Sequence, residues 1–419
     1  MAKITSVRGF RDILPEETLK WQRVEEKIRT IFFDFGIREI RIPVLEKTDL
    51  FRRGIGETTD IVEKEMYTFL DRGDEYLTMR PEATAGVIRA YIEHHLYEKD
   101  PMAKLFTIGP MFRRERPQKG RFRQFHQINV EFLGQEDPRI DAELMAMLMH
   151  LLNEVGIGNL KLEINSLGCD TCRPAFREKV IGFLTEREGE LCEDCRRRLE
   201  TNPLRIFDCK NEACQETIAG APLILDFICE GCKDHFEMVM EHLNLLDVPF
   251  VINRKMVRGL DYYTRTAFEI TTESLGAQNA VTGGGRYDGL VEMLGGPAIS
   301  GIGFAIGFDR LIAMLPDTDG QDTAGPHIFI AALGNDAQRH AFVLCNTLRR
   351  SGVRADMDYS GKGLKSQMKR ANKIDCSHTL IIGDAEMEKG TAPLRDMRSG
   401  TQETVDIHDA GALIRRVTA

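Results

Sequence analysis

Four segments with strand character, Leu105–Gly109, Gln124–Leu133, Phe268–Thr271 and Gly303–Gly307, are separated by long and irregular intervals. A doubly wound sheet needs strands and helices to alternate at short, repeating spacing, which disfavours that architecture here. The pattern predicts an α+β fold, an antiparallel sheet with helices laid against it. Ahead of these strands, residues 17–36 carry Val24, Ile28, Ile31, Phe32 and Phe35 at helical spacing, with Gly36 as the stop. The next stretch, Ile37–Val44, alternates as a strand does, and Pro43 suits its end because proline has no N–H for a ladder.

Residues 168–246 read differently: charged, helical and rich in cysteine, as an insertion within a first domain spanning residues 1–325. Turn formers over Asp317–Pro326 mark a linker. Beyond it, strands at His327–Leu333, Val353–Met357 and Thr379–Gly383 alternate with helices at Gln338–Ser351 and Lys365–Asn372, an α/β domain at 326–419. That domain holds 14 Lys+Arg against 11 Asp+Glu in a chain of net charge −9, an asymmetry compatible with RNA contact there. No apolar run approaches the ~18–20 residues of a membrane span, and the N-terminus has no apolar leader segment. A cytoplasmic protein without membrane contact is expected.

In that compartment the ten cysteines are reduced thiols. Eight form near pairs in the insertion: Cys169/Cys172, Cys192/Cys195, Cys209/Cys214 and Cys229/Cys232. Three pairs have the C-x-x-C spacing that lets two sulfurs reach one zinc ion. Four pairs can build one or two structural Cys₄ zinc sites; thiols packed as small apolar groups are the other reading. Cys345 and Cys376 are expected in the core.

No G-x-x-x-x-G-K-[ST] loop occurs, which excludes a P-loop nucleotide site. Three other elements carry the chemistry: Phe112-Arg-Arg-Glu115, Arg258-Gly-Leu-Asp-Tyr-Tyr263, and Gly301-Ile-Gly-Phe-Ala-Ile-Gly-Phe-Asp-Arg310. In this order, with Arg80-Pro-Glu-Ala-Thr-Ala-Gly86 and Gln127-Ile-Asn-Val-Glu131 ahead of the second, they resemble the histidyl-tRNA synthetase family of class II aminoacyl-tRNA synthetases. The likeness covers nearly the whole chain. It implies a class II catalytic domain built on an antiparallel sheet, a helical insertion, and a C-terminal anticodon-binding domain. The helix and strand over residues 17–44 then match motif 1, which in the family builds a homodimer interface.

The resemblance also implies the reaction: histidine and Mg²⁺-bound ATP give histidyl-adenylate and pyrophosphate, and histidine then passes to the 3′ end of tRNA-His. Negative charge grows on the phosphoryl oxygens in the first step, so fixed cations must surround them. By resemblance Arg113 and Arg258 hold the α-phosphate, Glu115 lies near the adenine, and Arg310 faces the γ-phosphate. Glu131 with Tyr262 and Tyr263 match the imidazole pocket, and Glu82, Thr84 and Gln127 match the positions that hold the amino group. Gln127 and Glu131 are four apart on one strand and share a face. A polar pocket of this kind rejects isosteres by ~10⁴-fold, so no editing domain is required. Gly283–Leu290 fits the family's loop before motif 3, or a hairpin turn. Arg116, Gln118 and Arg121 fall in the motif 2 loop, which meets the acceptor end of tRNA. The alternative function is a non-catalytic, synthetase-like regulatory subunit of ATP phosphoribosyltransferase, which shares the catalytic fold but typically lacks the C-terminal domain and several site residues.

Overall fold

The computed structural model describes residues 3–56, 59, 61–117, 121–258, 260, 262–272, 280–316 and 325–418. The helical periodicity near the N-terminus is realised as Pro15–Asp34, which buries Trp21, Val24, Ile28, Ile31 and Phe32. Its first turn tolerates proline because the N–H there has no helical partner. The chain then reverses through Gly36 at φ +71°, a conformation that costs glycine little.

The strand expected over 37–44 is cut short. Only Arg38–Glu39 pairs, parallel to Leu105 and Phe106, while Leu45–Lys47 joins a separate three-stranded sheet with Tyr76–Met79 and Tyr67–Leu70. The buried Arg80 guanidinium donates to the carbonyls of Ile42 and Pro43 at 2.8 and 3.2 Å, so a side chain takes acceptors that a ladder would have used.

The main sheet has eight strands in the order Arg38–Glu39, Ala103–Phe112, Gln124–Leu133, Gly301–Gly307, Ala280–Arg286, Thr264–Thr272, Leu160–Ser166 and Phe250–Ile252. The six inner strands pair antiparallel, and only the two edge strands are parallel to their neighbours. One face buries Ile128, Val130, Phe132, Ile302 and Ile306 against the helices Pro15–Asp34, Pro138–Glu154 and Glu230–Leu245. Sheet and helices form one mixed, antiparallel-rich layer structure, and the opposite face is left for the site.

The triple glycine, read as loop or hairpin turn, is instead an inner strand, Ala280–Arg286. A Cβ on Gly284 would overlap the Gly303 carbonyl and the Phe268 ring, and one on Gly285 the Thr266 carbonyl. These residues lack side chains so that adjacent strands and the site can approach, which local composition does not distinguish from a turn.

That strand ends in Arg286, fully buried and paired with the equally buried Asp141 at 2.7 Å. Asp141 also accepts from Thr266 Oγ1 (2.6 Å) and faces His235 Nε2 (2.9 Å). The cluster ties the helix Pro138–Glu154 to the sheet and to the helix Glu230–Leu245. Asp141→Ala leaves the buried Arg286 guanidinium with Asp288, at 3.1 Å, as its remaining carboxylate partner, and is expected to cost about 3 kcal/mol. Urea unfolding of the purified variant reads this directly; a loss under ~1 kcal/mol would show the pair to be dispensable.

The chain divides into two compact units, Met1–Pro316 and Asp317–Ala419. Within the first, residues between Cys169 and Ile228 form helices Arg173–Thr185, Glu193–Thr201 and Glu212–Ala219 around their own small core of Phe176, Val180, Leu184, Ile206 and Ile218. The second unit is a five-stranded sheet in the order Ala355–Met357, Ile328–Ala332, His378–Ile382, Thr391–Asp396 and Gln402–Asp406. Its last two strands are antiparallel and carry no sequence signal; Pro393 and alternating charge disguise them. Cys345 and Cys376 are buried in this unit. Among the described residues no helix is long and apolar enough to cross a membrane.

Candidate active site

The strand Gln124–Leu133 supplies the floor. Alternation sends Ile128, Val130 and Phe132 into the core and turns Gln127, Asn129 and Glu131 to a cavity of about 460 Å³ on the other face. The neighbouring strand places Gly303 opposite Glu131 and Gly307 opposite Gln127. A Cβ on Gly303 would collide with the Glu131 carboxyl, so the glycine makes room for it.

Glu131 is almost wholly buried and accepts from Thr84 Oγ1 at 2.7 Å and from the Tyr287 hydroxyl. Burial pushes its carboxyl up to about 8; the two hydroxyls oppose the shift and nearby Glu82 adds to it. Tyr262 packs with its ring tilted at 4.7 Å from Tyr263 and edge-on at 5.7 Å to Tyr287, closing this end with three buried rings. Glu82 accepts the backbone N–H groups of Thr84 (2.7 Å) and Ala85 (2.9 Å), where the helix Thr84–Glu93 begins. Burial raises its pKa, with those N–H groups opposing. Gln127 Oε1 is buried with no hydrogen-bond partner among the described residues, an acceptor directed into the cavity.

The rest of the cavity is cationic. Arg258 lies over Gly283, where a Cβ would clash with its guanidinium, and over the Tyr263 ring at 5.5 Å. Its Nη1 is 3.6 Å from Glu269, the residue paired across strands with Gly283. Thus Arg258 and Glu131 each pack against a strand glycine, Gly283 and Gly303. Arg113 donates through Nε to the Pro81 carbonyl at 2.8 Å and sits over Phe125, which aims the rest of its fork into the cavity. Glu115 is 3.9 Å from Arg113 and takes a 3.2 Å bond from Arg121.

Arg310 follows Asp309 at the start of the helix Phe308–Met314. Asp309 accepts the His126 N–H at 2.6 Å and an Arg11 bond at 3.2 Å, which locks this helix onto the floor strand. Burial works against the Asp309 charge, but His126 and Arg11 hold its pKa below the usual carboxylate range.

The structure therefore brings Glu82, Thr84, Arg113, Glu115, Arg121, Gln127, Glu131, Arg258, Tyr262, Tyr263 and Arg310 to one cavity. Arg116 is exposed and does not line it, and Gln118 lies outside the described residues. Sequence reasoning passed over Asn129, Arg205, Tyr287 and Asp309, which also line it. Asn129 was findable as the midpoint of the Gln127–Glu131 alternation, and Tyr287 from its place after the glycines. Arg205 comes from the insertion, and no local pattern marks it. None of the eight insertion cysteines lines the cavity; they gather in two groups of four, Cys169/Cys172/Cys229/Cys232 and Cys192/Cys195/Cys209/Cys214.

The chain is also similar to known proteins. The Histidyl-tRNA synthetase family model matches residues 9–169 and 220–311, and the Anticodon binding domain model matches residues 327–416. A histidine–tRNA ligase of Geobacter sulfurreducens is 56% identical over 405 residues, spanning 96% of this chain and 97% of that protein. The crystal structure of apo histidyl-tRNA synthetase from S. aureus superposes with a TM-score of 0.82 at 37% identity, covering 100% of both chains. A Bacillus halodurans structure described as an ATP phosphoribosyltransferase regulatory subunit/histidyl-tRNA synthetase shares the fold at a TM-score of 0.66. At 18% identity over 91% of this chain and 99% of that one, its likeness extends to the fold alone.

Proposed function

The chain belongs to the histidyl-tRNA synthetase family and is an enzyme that ligates histidine to tRNA, and from that premise we propose how its cavity does so. The regulatory reading is not supported, because relatives at 50–56% identity over nearly the whole length are histidine–tRNA ligases. The observation that carries the site proposal is the division of one cavity into a buried Glu131–tyrosine end and a more exposed guanidinium-lined end.

Histidine enters the buried end. Its imidazole offers one donor and one acceptor, which Glu131 and the tyrosine hydroxyls satisfy. Its ammonium meets the unpartnered Gln127 Oε1, with Glu82 and Thr84 beside it. The histidine carboxylate then faces ATP, supplied as its Mg²⁺ complex. As that carboxylate attacks the α-phosphorus and pyrophosphate departs, Arg113 and Arg258 stabilise charge on the α-phosphoryl oxygens, and Arg310 holds the γ-phosphate. Guanidinium groups suit this task because they donate as a planar fork and keep their charge. Glu115 orients the adenine. In the second step the terminal ribose hydroxyl of tRNA-His attacks the activated carbonyl and AMP leaves. Arg116, Gln118 and Arg121 approach the acceptor end, and the unit after the linker grips the anticodon.

A homodimer is the proposed working form. Phe33 is 81% exposed on the helix Pro15–Asp34, and Arg29 of that helix pairs with Glu39 of the edge strand at 2.6 Å, giving a surface for a second copy. A cytoplasmic location follows from the need for ATP and tRNA.

ATP–pyrophosphate exchange measured across the amino acids tests the proposal, and histidine alone is expected to support it. Removing residues 326–419 is expected to keep exchange while tRNA charging falls, because activation needs only the first unit. Charging at the full-length rate by the truncated chain would refute a tRNA-gripping role for the second unit.

A further inference from the structure

We infer that the insertion holds two structural zinc ions, one in each four-cysteine group. In the outer group the Sγ–Sγ separations are 3.6 Å for Cys169–Cys172, 3.9 Å for Cys169–Cys229 and 3.8 Å for Cys172–Cys232. In the inner group Cys192 and Cys209 are 3.8 Å apart. All four sulfurs of each group lie within 4.8 Å of one another. A tetrahedron with Zn–S of about 2.3 Å has an S–S edge of about 3.8 Å. A disulfide would need about 2.05 Å, and all eight cysteines are free.

The backbone around the sulfurs is arranged for metal-bound thiolates. Each outer C-x-x-C forms the same tight turn: Cys172 and Arg173 N–H both bond the Cys169 carbonyl, and Cys232 and Lys233 N–H both bond the Cys229 carbonyl, all at 3.0–3.1 Å. Cys229 N–H points at Cys172 Sγ and Cys192 N–H at Cys214 Sγ, each at 3.1 Å. Asn211 N–H adds a third such contact, 3.5 Å from Cys209 Sγ. Thiols packed only for their apolar surface have no reason to collect backbone donors or to meet in fours.

The fold also needs the metal. The insertion's own core is small, and three of its buried members are Cys195, Cys209 and Cys214. A unit of this size ordinarily requires a staple. The outer group joins cysteines 60 residues apart, where the insertion leaves the sheet after Leu160–Ser166 and where it returns at the helix Glu230–Leu245. The inner group brackets the turn Pro203–Asp208, which carries Arg205 to the substrate cavity. Zinc thus clamps the insertion at its root and again behind the segment that reaches the site.

The test is metal content of the full chain purified without added metal. About two zinc ions per chain are expected, falling to about one in Cys192→Ser and about one in Cys229→Ser. Should either variant fail to fold, the wild-type chain stripped by a chelator and titrated with Co²⁺ replaces it. Two equivalents showing tetrahedral thiolate absorption support the inference. Substoichiometric zinc in folded protein with no cobalt–thiolate absorption, disulfides among these eight residues, or iron in place of zinc overturns it. A single ion lost in only one of the two variants overturns the two-site assignment.

Discussion

Arg258→His is expected to lower histidine-dependent ATP–pyrophosphate exchange by about 10²–10³-fold while leaving the fold intact, the loss typical of one preorganised donor to a developing anion. The guanidinium reaches the cavity from above Gly283, balanced on the Tyr263 ring and Glu269. An imidazole is shorter and mostly neutral at pH 7, so it neither spans that distance nor keeps the charge. Steady-state exchange kinetics, with unfolding measured alongside, check this. Near-normal turnover would place Arg258 away from the phosphate.

Assayed above pH 8, where the Glu131 carboxyl is ionised, Glu131→Gln is expected to raise the histidine requirement by about 10–100-fold, as for loss of a charged hydrogen bond, and to leave the ATP requirement nearly unchanged. Equal losses for both substrates would sink the pocket assignment. The same variant has a signature in the ligand-free protein. Folded, Glu131 holds its proton up to about 8, against an ordinary value of 4.5. The folded state therefore binds more protons across that window, and this group's contribution to stability, complete below 4.5, is lost as pH rises toward 8. Glutamine does not titrate, so urea unfolding between about pH 5 and 8 should show a flatter pH slope in the variant. Parallel slopes would mean that the carboxyl is already ionised in the fold.

Much of the scaffold could be read from local pattern. The helix Pro15–Asp34, the floor strand Gln124–Leu133 and the strand Gly301–Gly307 are strongly periodic, and burial of one face makes such periodicity informative. The motif residues were legible through their resemblance to the family's motifs taken in order, since Arg113 two residues before Glu115, or Arg310 after a glycine series, says little alone. Strands marked by proline, such as Thr391–Asp396, or by glycine, such as Ala280–Arg286, were hidden, since their pairing depends on neighbours rather than on their own propensity.

The strongly periodic elements, the order of the motifs and the kinds of chemistry available are local properties of the chain, and the sequence alone established them. Which groups actually meet was settled only by the tertiary structure. Tyr287 bonds Glu131 across 156 residues, and Cys169 faces Cys229 across 60. Arg80 caps the carbonyls that would have continued a strand, and Arg205 crosses from the insertion to the cavity. Spacing along a chain constrains a side chain's direction over a few residues. Beyond that range, the approach of two segments depends on how sheets and helices pack, and on glycines such as Gly283 and Gly303 that open space for a partner supplied from elsewhere.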